Sequence, residues 1–358
     1  MHLSQLRLRD FRNYGRLDVE FRPGFHLFLG DNAQGKTNIL EAIYLLSTLR
    51  SFRGVASAQM VRHGQAGFFV GGKTHHAGDH EIKLYWSAKE RNLAIDGRPV
   101  RRMSEFLGVF RSVVFCSEDI QLVKGPASRR RRYLDLLLTQ THPAYLPLLQ
   151  RYVRTVRSRN ALLKQRVIDP AALEAFTREM VTSGQTLMEM RIKLLPEIGP
   201  IASEAYRRIT NGAEAFQCDY LPSLRGDFAV ELRKHEARER AMRTTLVGPH
   251  RDELVLRLND KSVAQFGSEG QKRSVVIALK MAQAEYLTNV HGSPPVLLID
   301  DIMGELDVKR RSGILPLLRR VHQAHSQVFM TCTEENWPAE LGKDLQRWEV
   351  RAGKLGKV

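Results

Sequence analysis

The chain has 358 residues, 43% of them apolar, which is enough for a sizeable core and long for a single domain. Lys and Arg outnumber Asp and Glu by 55 to 39, a formal charge of +16 that favours a polyanionic partner. No apolar run approaches the roughly 18 residues that span a bilayer, the opening MHLSQLRLRDFRNY alternates like a strand rather than a leader, and Cys116, Cys218 and Cys332 lack any Cys-x-x-Cys spacing. A folded cytoplasmic protein is therefore expected, with no membrane partner, no structural zinc and no disulfide framework.

In chain order, LSQLRLRDF, LDVEF and FHLFLG alternate or run apolar and predict strands. GDNAQGKTNILEAIYLLSTL predicts a turn into a helix, EIKLYWSAKERNLAIDGRPV a hairpin closed at Asp96-Gly97, and RSVVFCSEDIQLV one more short buried strand. From Ser128 to about Thr244 the period becomes helical. Leu149, Tyr152, Val153, Val156, Asn160, Leu163 and Val167 fall on one stripe, Arg151 and Arg154 lie opposite it, and Arg157 and Arg159 flank it. Asp169 and Pro170 read as an N-cap and first helical position, whereas Pro196 and Pro200 predict a break in a later helix.

The last third returns to strands separated by helices: ELVLRLN, SEGQKRSVVIALKMAQAEYL, PPVLLIDD, RRSGILPLLRRVHQAHS and QVFMTCT. That alternation implies a parallel sheet covered on both faces. The expectation is an α/β head made of residues 1–120 and 245–358, interrupted over residues 121–244 by a basic, all-helical second domain.

GDNAQGKT, Gly30 to Thr37, fits the G-x-x-x-x-G-K-[ST] phosphate loop and lies between an apolar strand and an apolar helix, the context that the motif requires. Glycines let backbone N–H groups wrap phosphates, the helix N-terminus adds favourable partial charge, Lys36 meets the β and γ phosphates, and Thr37 ligates magnesium. PPVLLIDD supplies a buried strand ending in two acids, which need a cation nearby. Asp300 is placed to hold magnesium, and Asp301 to polarise an attacking water.

A second glycine turn, SEGQ, opens the helix that leads to the Asp300 strand, and the acids are followed by GELD, Gly304 to Asp307. This order resembles the ABC-type ATPases, whose signature turn serves the nucleotide held by the phosphate loop of a second subunit. DFRNY, GDNAQGKTNILEAIYLLS, SFR, SEDIQLVKGPASRRRRYLD, VGPHRDEL, SEGQKR and LLIDDIMGELD together narrow the resemblance to the RecF family, relatives of the SMC and Rad50 heads.

The resemblance implies an ABC-ATPase-like head, a mixed and parallel sheet with flanking helices, carrying an inserted all-helical domain. It implies ATP and Mg2+ as cofactors and an ATP-dependent homodimer. It further implies action at gapped, single- or double-stranded DNA with RecO and RecR, and through them RecA, on the nucleoid. Carried over by residue, the loop contributes Gly30, Asn32, Gly35, Lys36, Thr37 and Asn38, and the signature contributes Ser268, Gly270 and Gln271. Arg12 and Asn13 would approach the base or ribose; Lys36, Ser268, Asp300 and Asp301 form the catalytic set.

Two departures from transporter ATPases, Asp301 in place of Glu and TCTEEN without a His, imply weak, DNA-stimulated hydrolysis used as a switch. There Thr331 and Thr333 stand where the His would be. Gln121 is the candidate Q-loop residue.

Between Gln121 and Arg166 stand eleven Lys or Arg and one acid, Asp135, so this segment holds ten of the sixteen net charges. Arg129, Arg130, Arg131, Arg132, Arg151 and Arg154 are the expected DNA contacts. The absence of an aromatic row or base-reading motif points to backbone recognition. A transporter ATPase subunit and an SMC or Rad50 machine are the alternatives. The basic insertion counts against the first, and the lack of sustained heptads over about 115 residues counts against the second.

Overall fold

The computed structural model describes residues 1–358 apart from 77, 213, 225, 306 and 334–344. The chain divides into two units, one of Met1–Asp119, Ala205–Ala213 and Ser274–Val358, the other of Ile120–Glu204 and Glu214–Arg273.

The first unit begins with β1 (His2–Phe11), β2 (Tyr14–Glu20), β3 (Gly24–Leu29), α1 (Lys36–Thr48) and β4 (Gly67–His75). It continues with β5 (Asp79–Ser87), β6 (Arg91–Ile95), β7 (Arg98–Pro99), the single turn α2 (Met103–Phe106) and β8 (Ser112–Phe115). An antiparallel sheet runs in the order β2-β1-β4-β5-β6-β7. Asp96 and Gly97, with φ of 51° and 76°, close β6 onto β7. The stretch expected as one hairpin is thus a three-stranded meander, because residues 88–90 already turn β5 into β6.

β1 shows how backbone geometry corrects an imperfect alternation. Leu3, Leu6, Leu8 and Phe11 are all buried although two of their intervals are odd. A register shift against β4 between Leu3 and Gln5 covers the first, and left-handed backbone at Asp10 (φ 48°) falls in the second.

The second unit holds the single turn α3 (Gln121–Lys124), α4 (Ala127–Thr141), α5 (Tyr145–Leu163) and α6 (Pro170–Thr210) as far as residue 204. Then come β9 (Phe216–Leu221), α7 (Phe228–Met242), β10 (Glu253–Leu258), β11 (Lys261–Ser262), the turn α8 (Val263–Phe266) and the first turn of α9 (Glu269–His291). From Ser274 the chain is again in the first unit, with β12 (Val296–Asp300), α10 (Val308–Gln323), β13 (Gln327–Cys332), β14 (Leu345–Arg351) and β15 (Lys354–Lys357).

These last strands complete a sheet of order β15-β14-β3-β13-β12-β8, parallel except for β15. Helix α1 is buried on nearly all sides because its core neighbours come from both sheets, Leu3 and Leu6 from one, Val296, Leu298 and Phe329 from the other. Gly72 marks the tightest approach: a Cβ there would lie 2.6 Å from a Leu46 methyl and 2.9 Å from one of Leu3.

The second unit corrects four expectations. It is not all-helical, since β11-β10-β9 forms a three-stranded antiparallel sheet. FQCDYL is short and half polar, and it becomes a strand by pairing with β10, more than thirty residues later in the chain. The strand ELVLRLN, expected in the head, belongs to this unit. Helix α6 runs through Pro196 and Pro200 without ending; the missing N–H donors are outweighed by the stripe of buried Leu187, Leu194, Ile198 and Ala202. Val167, placed on the buried stripe, is 82% exposed because α5 ends at Leu163. Asp169 caps α6 as expected, accepting from the Ala171 and Ala172 N–H groups at 2.9 and 3.2 Å. Among the described residues no helix is long and apolar enough to cross a membrane.

Candidate nucleotide site and nucleic-acid interface

In the first unit's parallel sheet, Leu29 pairs with Cys332, Asp300 with Thr331, and Ile299 with Phe115. The C-terminal ends of β3, β13, β12 and β8 thus lie in one row, the edge where open α/β sheets take ligands. Gly30 to Gly35 follow β3 and lead into α1. Gly30, Ala33 and Gly35 have φ of 148°, 64° and 116°, which turn the backbone of the loop inward. Among the described residues the N–H groups of 33–37 donate to no carbonyl, so they can converge on an anion at the start of the helix.

The loop is built against its surroundings. A Cβ on Gly30 would lie 2.4 Å from the Val350 carbonyl oxygen, and one on Gly35 would lie 2.6 Å from Asn13 Nδ2. Tyr14 Oη donates to the Gly35 carbonyl at 3.1 Å, and Asn13 Nδ2 to that of Gln34 at 2.8 Å. The turn between β14 and β15 holds the other side: Gly353 N–H donates to the Gln34 carbonyl at 3.1 Å and Ala352 N–H to its side chain at 2.7 Å. Lys36 is buried, and its Nζ donates to the carbonyls of Gly30 at 2.6 Å and Asp31 at 2.9 Å.

Thr37 Oγ1 donates to Asp300 Oδ1 at 2.8 Å, and Thr331 Oγ1 donates to the same oxygen at 2.9 Å. Burial pushes the Asp300 carboxyl above its ordinary value, against the two hydroxyl donors that favour its charge. A desolvated carboxylate beside a threonine hydroxyl is a donor set that fits a hard divalent cation. Asp301 follows with φ 54°, and its N–H donates to Thr331 Oγ1 at 3.0 Å. Thr331 therefore ties both acids to β13, a role the sequence reading did not assign.

Arg12 and Asn13 part company. Arg12 Nε and Nη2 each donate to a Glu41 oxygen at 2.7 Å, and Nη1 donates to the Gln59 carbonyl at 2.8 Å. Glu41 is fully buried and also accepts from Ser51 Oγ. Asn13 instead joins the loop: Asn38 Nδ2 donates to its Oδ1 at 2.8 Å, and Arg53 Nη1 reaches Asn38 Oδ1 at 3.2 Å. Asn32 is exposed on the loop.

The signature turn lies in the second unit. Ser268 N–H donates to Gln271 Oε1 at 2.6 Å and Gln271 N–H to Ser268 Oγ at 3.2 Å, the reciprocal capping box of S-x-x-Q. Gln271 Nε2 also donates to Glu214. Ser268 remains exposed with its hydroxyl proton unspent on the cap, Gly270 follows within the first helical turn, and Phe266, two residues before, is 70% exposed.

The expected DNA arginines divide. Arg129, Arg132, Arg151 and Arg154 are exposed, although Arg151 pairs with Glu179. Arg130 Nε and Nη2 bind Glu253 at 2.6 and 2.9 Å, and Arg131 Nη1 donates to the Asp252 carbonyl at 2.7 Å. Both are spent inside the unit, so their charge is not free for phosphate. Arg159, placed on the flank, is buried and pairs with buried Glu239 at 2.6 Å.

VGPHRDEL is also structural here. Tyr152 Oη and His250 Nδ1 lie 2.6 Å apart, Arg191 Nη1 donates to the Pro249 carbonyl at 2.8 Å, and buried Asp252 accepts from Ser223 N–H at 2.7 Å. Burial holds the His250 imidazole down at about 4, against its hydrogen bond to the Thr245 carbonyl.

A phosphate loop, a Thr–Asp pair at the carboxyl edge of a parallel sheet and an antiparallel sheet across α1 define a nucleotide-binding head of the SMC class. The model of the RecF/RecN/SMC N terminal domain matches residues 2–347. Two solved Smc head structures share the fold at 15% identity; one, from Pyrococcus furiosus, has a TM-score of 0.57.

Within that class the chain belongs to the RecF family. It is 36% identical over 377 residues to the DNA replication and repair protein RecF of Synechococcus sp. strain JA-2-3B'a(2-13), covering 99% of this chain and 97% of that one. It is 38% identical to the RecF of Geobacter sulfurreducens over 93% of each. A solved structure titled as the recombination mediator protein RecF-ATP in the RecFOR pathway superposes with a TM-score of 0.90 at 30% identity, covering all of this chain and 97% of that one.

Proposed function

We propose that this chain is an ATP-dependent DNA-binding protein of replication and recombinational repair, closing as a homodimer around two ATP molecules. The observation that carries the reading is the Thr37–Asp300–Thr331 contact at the foot of unspent loop N–H groups. Those N–H groups bind the phosphates, Lys36 exchanges its carbonyl partners for β and γ oxygens, and Asn13 and Asn38 border the nucleotide. Thr37 and Asp300 would hold magnesium, which supplies charge neutralisation at the β and γ phosphates when bound. Asp301 polarises the attacking water.

Ser268 and the Gly270 N–H of one subunit reach the γ-phosphate held by the other, and exposed Phe266 beside them supplies apolar contact for the closed dimer. Exposed Arg129, Arg132, Arg151 and Arg154 meet DNA phosphates at gapped sites. There the protein works with RecO and RecR toward loading of RecA, and slow hydrolysis releases it. This reading rests on the family and on the ATP named in the relatives' structures. Titration with a fluorescent ATP analogue tests it: wild type binds in the presence of Mg2+, Lys36→Met binds on the order of 100-fold more weakly, and equal binding by both would remove the nucleotide site from this loop.

A further inference from the structure

The first unit holds a second polar cluster, at the end of its parallel sheet opposite the phosphate loop. Arg111 precedes β8, and Ser293 stands shortly before β12. Strand pairing brings the two segments together: Val296 pairs with Ser112, and the Val296 N–H donates to the Arg111 carbonyl at 3.0 Å. His76 follows β4 of the antiparallel sheet, in a turn closed by its N–H on the Gly78 carbonyl at 2.9 Å. Both sheets of the unit thus contribute to one cluster.

At its centre is Arg111, only 3% exposed. Nη1 donates to the Gly108 carbonyl at 3.1 Å, and Nη2 donates to His76 Nε2 and to Ser293 Oγ, each at 3.0 Å. Nε is also buried and has no partner. Arg159 and Arg191, the other two buried arginines among the described residues, each pair with a carboxylate. Arg111 pairs with none among the described residues: burial lowers its guanidinium to about 10, and no acid acts to offset this. Asp79, at the start of β5, is spent on His75. A buried cation without a counter-charge is costly, so an anion is the missing member of the cluster.

The hydrogen bonds show which groups would meet that anion. A guanidinium only donates, so His76 accepts through Nε2 and carries its proton on Nδ1, and Ser293 Oγ accepts while keeping its own proton to give. The Ser293 hydroxyl lies 3.4 Å from both ring nitrogens of His76, beyond the usual range, so the two do not exhaust each other. His76 and Ser293 are half-buried and within reach of a solvent-borne ligand, with the Arg111 charge directly behind them. His291, the last residue of α9, is close enough to act on His76 and adds cationic capacity. We infer that Arg111, His76 and Ser293 form a binding site for a phosphate group, separate from the phosphate loop. The phosphate oxygens accept from His76 Nδ1–H and from the Ser293 hydroxyl, and their charge neutralises the guanidinium. The group is either free phosphate or part of a DNA backbone, the polyanion that suits a chain of net charge +16.

The test uses the Lys36→Met chain, in which the phosphate loop is disabled, and reads the urea midpoint in inorganic phosphate against chloride of equal ionic strength. Phosphate is expected to raise the midpoint of Lys36→Met saturably, as a ligand of the native state does. Adding Arg111→Met should abolish the rise, and adding Ser293→Ala should weaken phosphate about tenfold. If the Arg111→Met chain does not fold, Ser293→Ala, at the half-buried rim, decides alone. No saturable rise in Lys36→Met, or a rise that Ser293→Ala leaves unchanged, would overturn the inference. Duplex DNA separates the two sources. If a backbone phosphate fills the site, inorganic phosphate displaces DNA from Lys36→Met and does so less well once Ser293→Ala is added; if free phosphate is the ligand, DNA binding is unmoved while the midpoint still rises.

Discussion

The nucleotide edge of the first unit and the interior of the second use their polar side chains in opposite ways. At the sheet edge of the first, polar groups converge and stay underused among the described residues: loop N–H groups without carbonyls, Asp300 with one oxygen engaged. In the second, charges are spent on each other, as in Arg159–Glu239, Arg191–Asp135 and Arg130–Glu253. A site keeps polar capacity for a ligand, whereas a scaffold consumes it in folding. Net charge alone does not tell the two apart.

Substitutions should therefore cost ligand in one unit and stability in the other. Replacing Arg159 by Met leaves Glu239 buried without its cation and should destabilise the protein by about 3–5 kcal/mol, measured by urea unfolding. Lys36→Met should lower ATP affinity on the order of 100-fold, about 3 kcal/mol of charged hydrogen bonds, while leaving the urea midpoint within error. Equal stability loss in both variants would erase the contrast.

Each unit also holds a histidine that burial keeps neutral, His26 in the first and His250 in the second, both pushed down to about 4. Unfolded, each titrates near 6.5, so between pH 6.5 and 4 the unfolded chain binds more protons. Their contribution is full above about pH 6.5 and is lost as pH falls toward 4. The urea midpoint should drop across that window, and His250→Gln should flatten the drop; an unchanged slope would place His250 in solvent.

The smallest effect concerns DNA. Arg129→Glu and Arg154→Glu should each reduce the slope of log K against log salt by about 1, whereas Arg130→Gln should leave the slope unchanged and lower stability instead. A full unit lost in Arg130→Gln would mean that its pair with Glu253 opens on DNA.

How much of this could be read from the chain follows from the same contrast. The phosphate loop and the acid strand are contiguous, so their residues announce themselves through local spacing. Thr331 and the turn at Ala352–Gly353 reach the site only through strand pairing, which a single sequence does not display. The partners of Arg159 and Arg130 lie 80 and 123 residues away, so an acid count over 46 residues overstated the charge available to DNA. β9 escaped for the same reason, since its partner strand follows a whole helix later.

The central claim is that ATP binding becomes dimerisation at the Ser268 turn. Sedimentation velocity with and without Mg-ATP, on wild type and Ser268→Arg, tests it most directly. The account predicts an ATP-dependent dimer for wild type and, for Ser268→Arg, a monomer that still binds ATP; a Ser268→Arg dimer indistinguishable from wild type would contradict it.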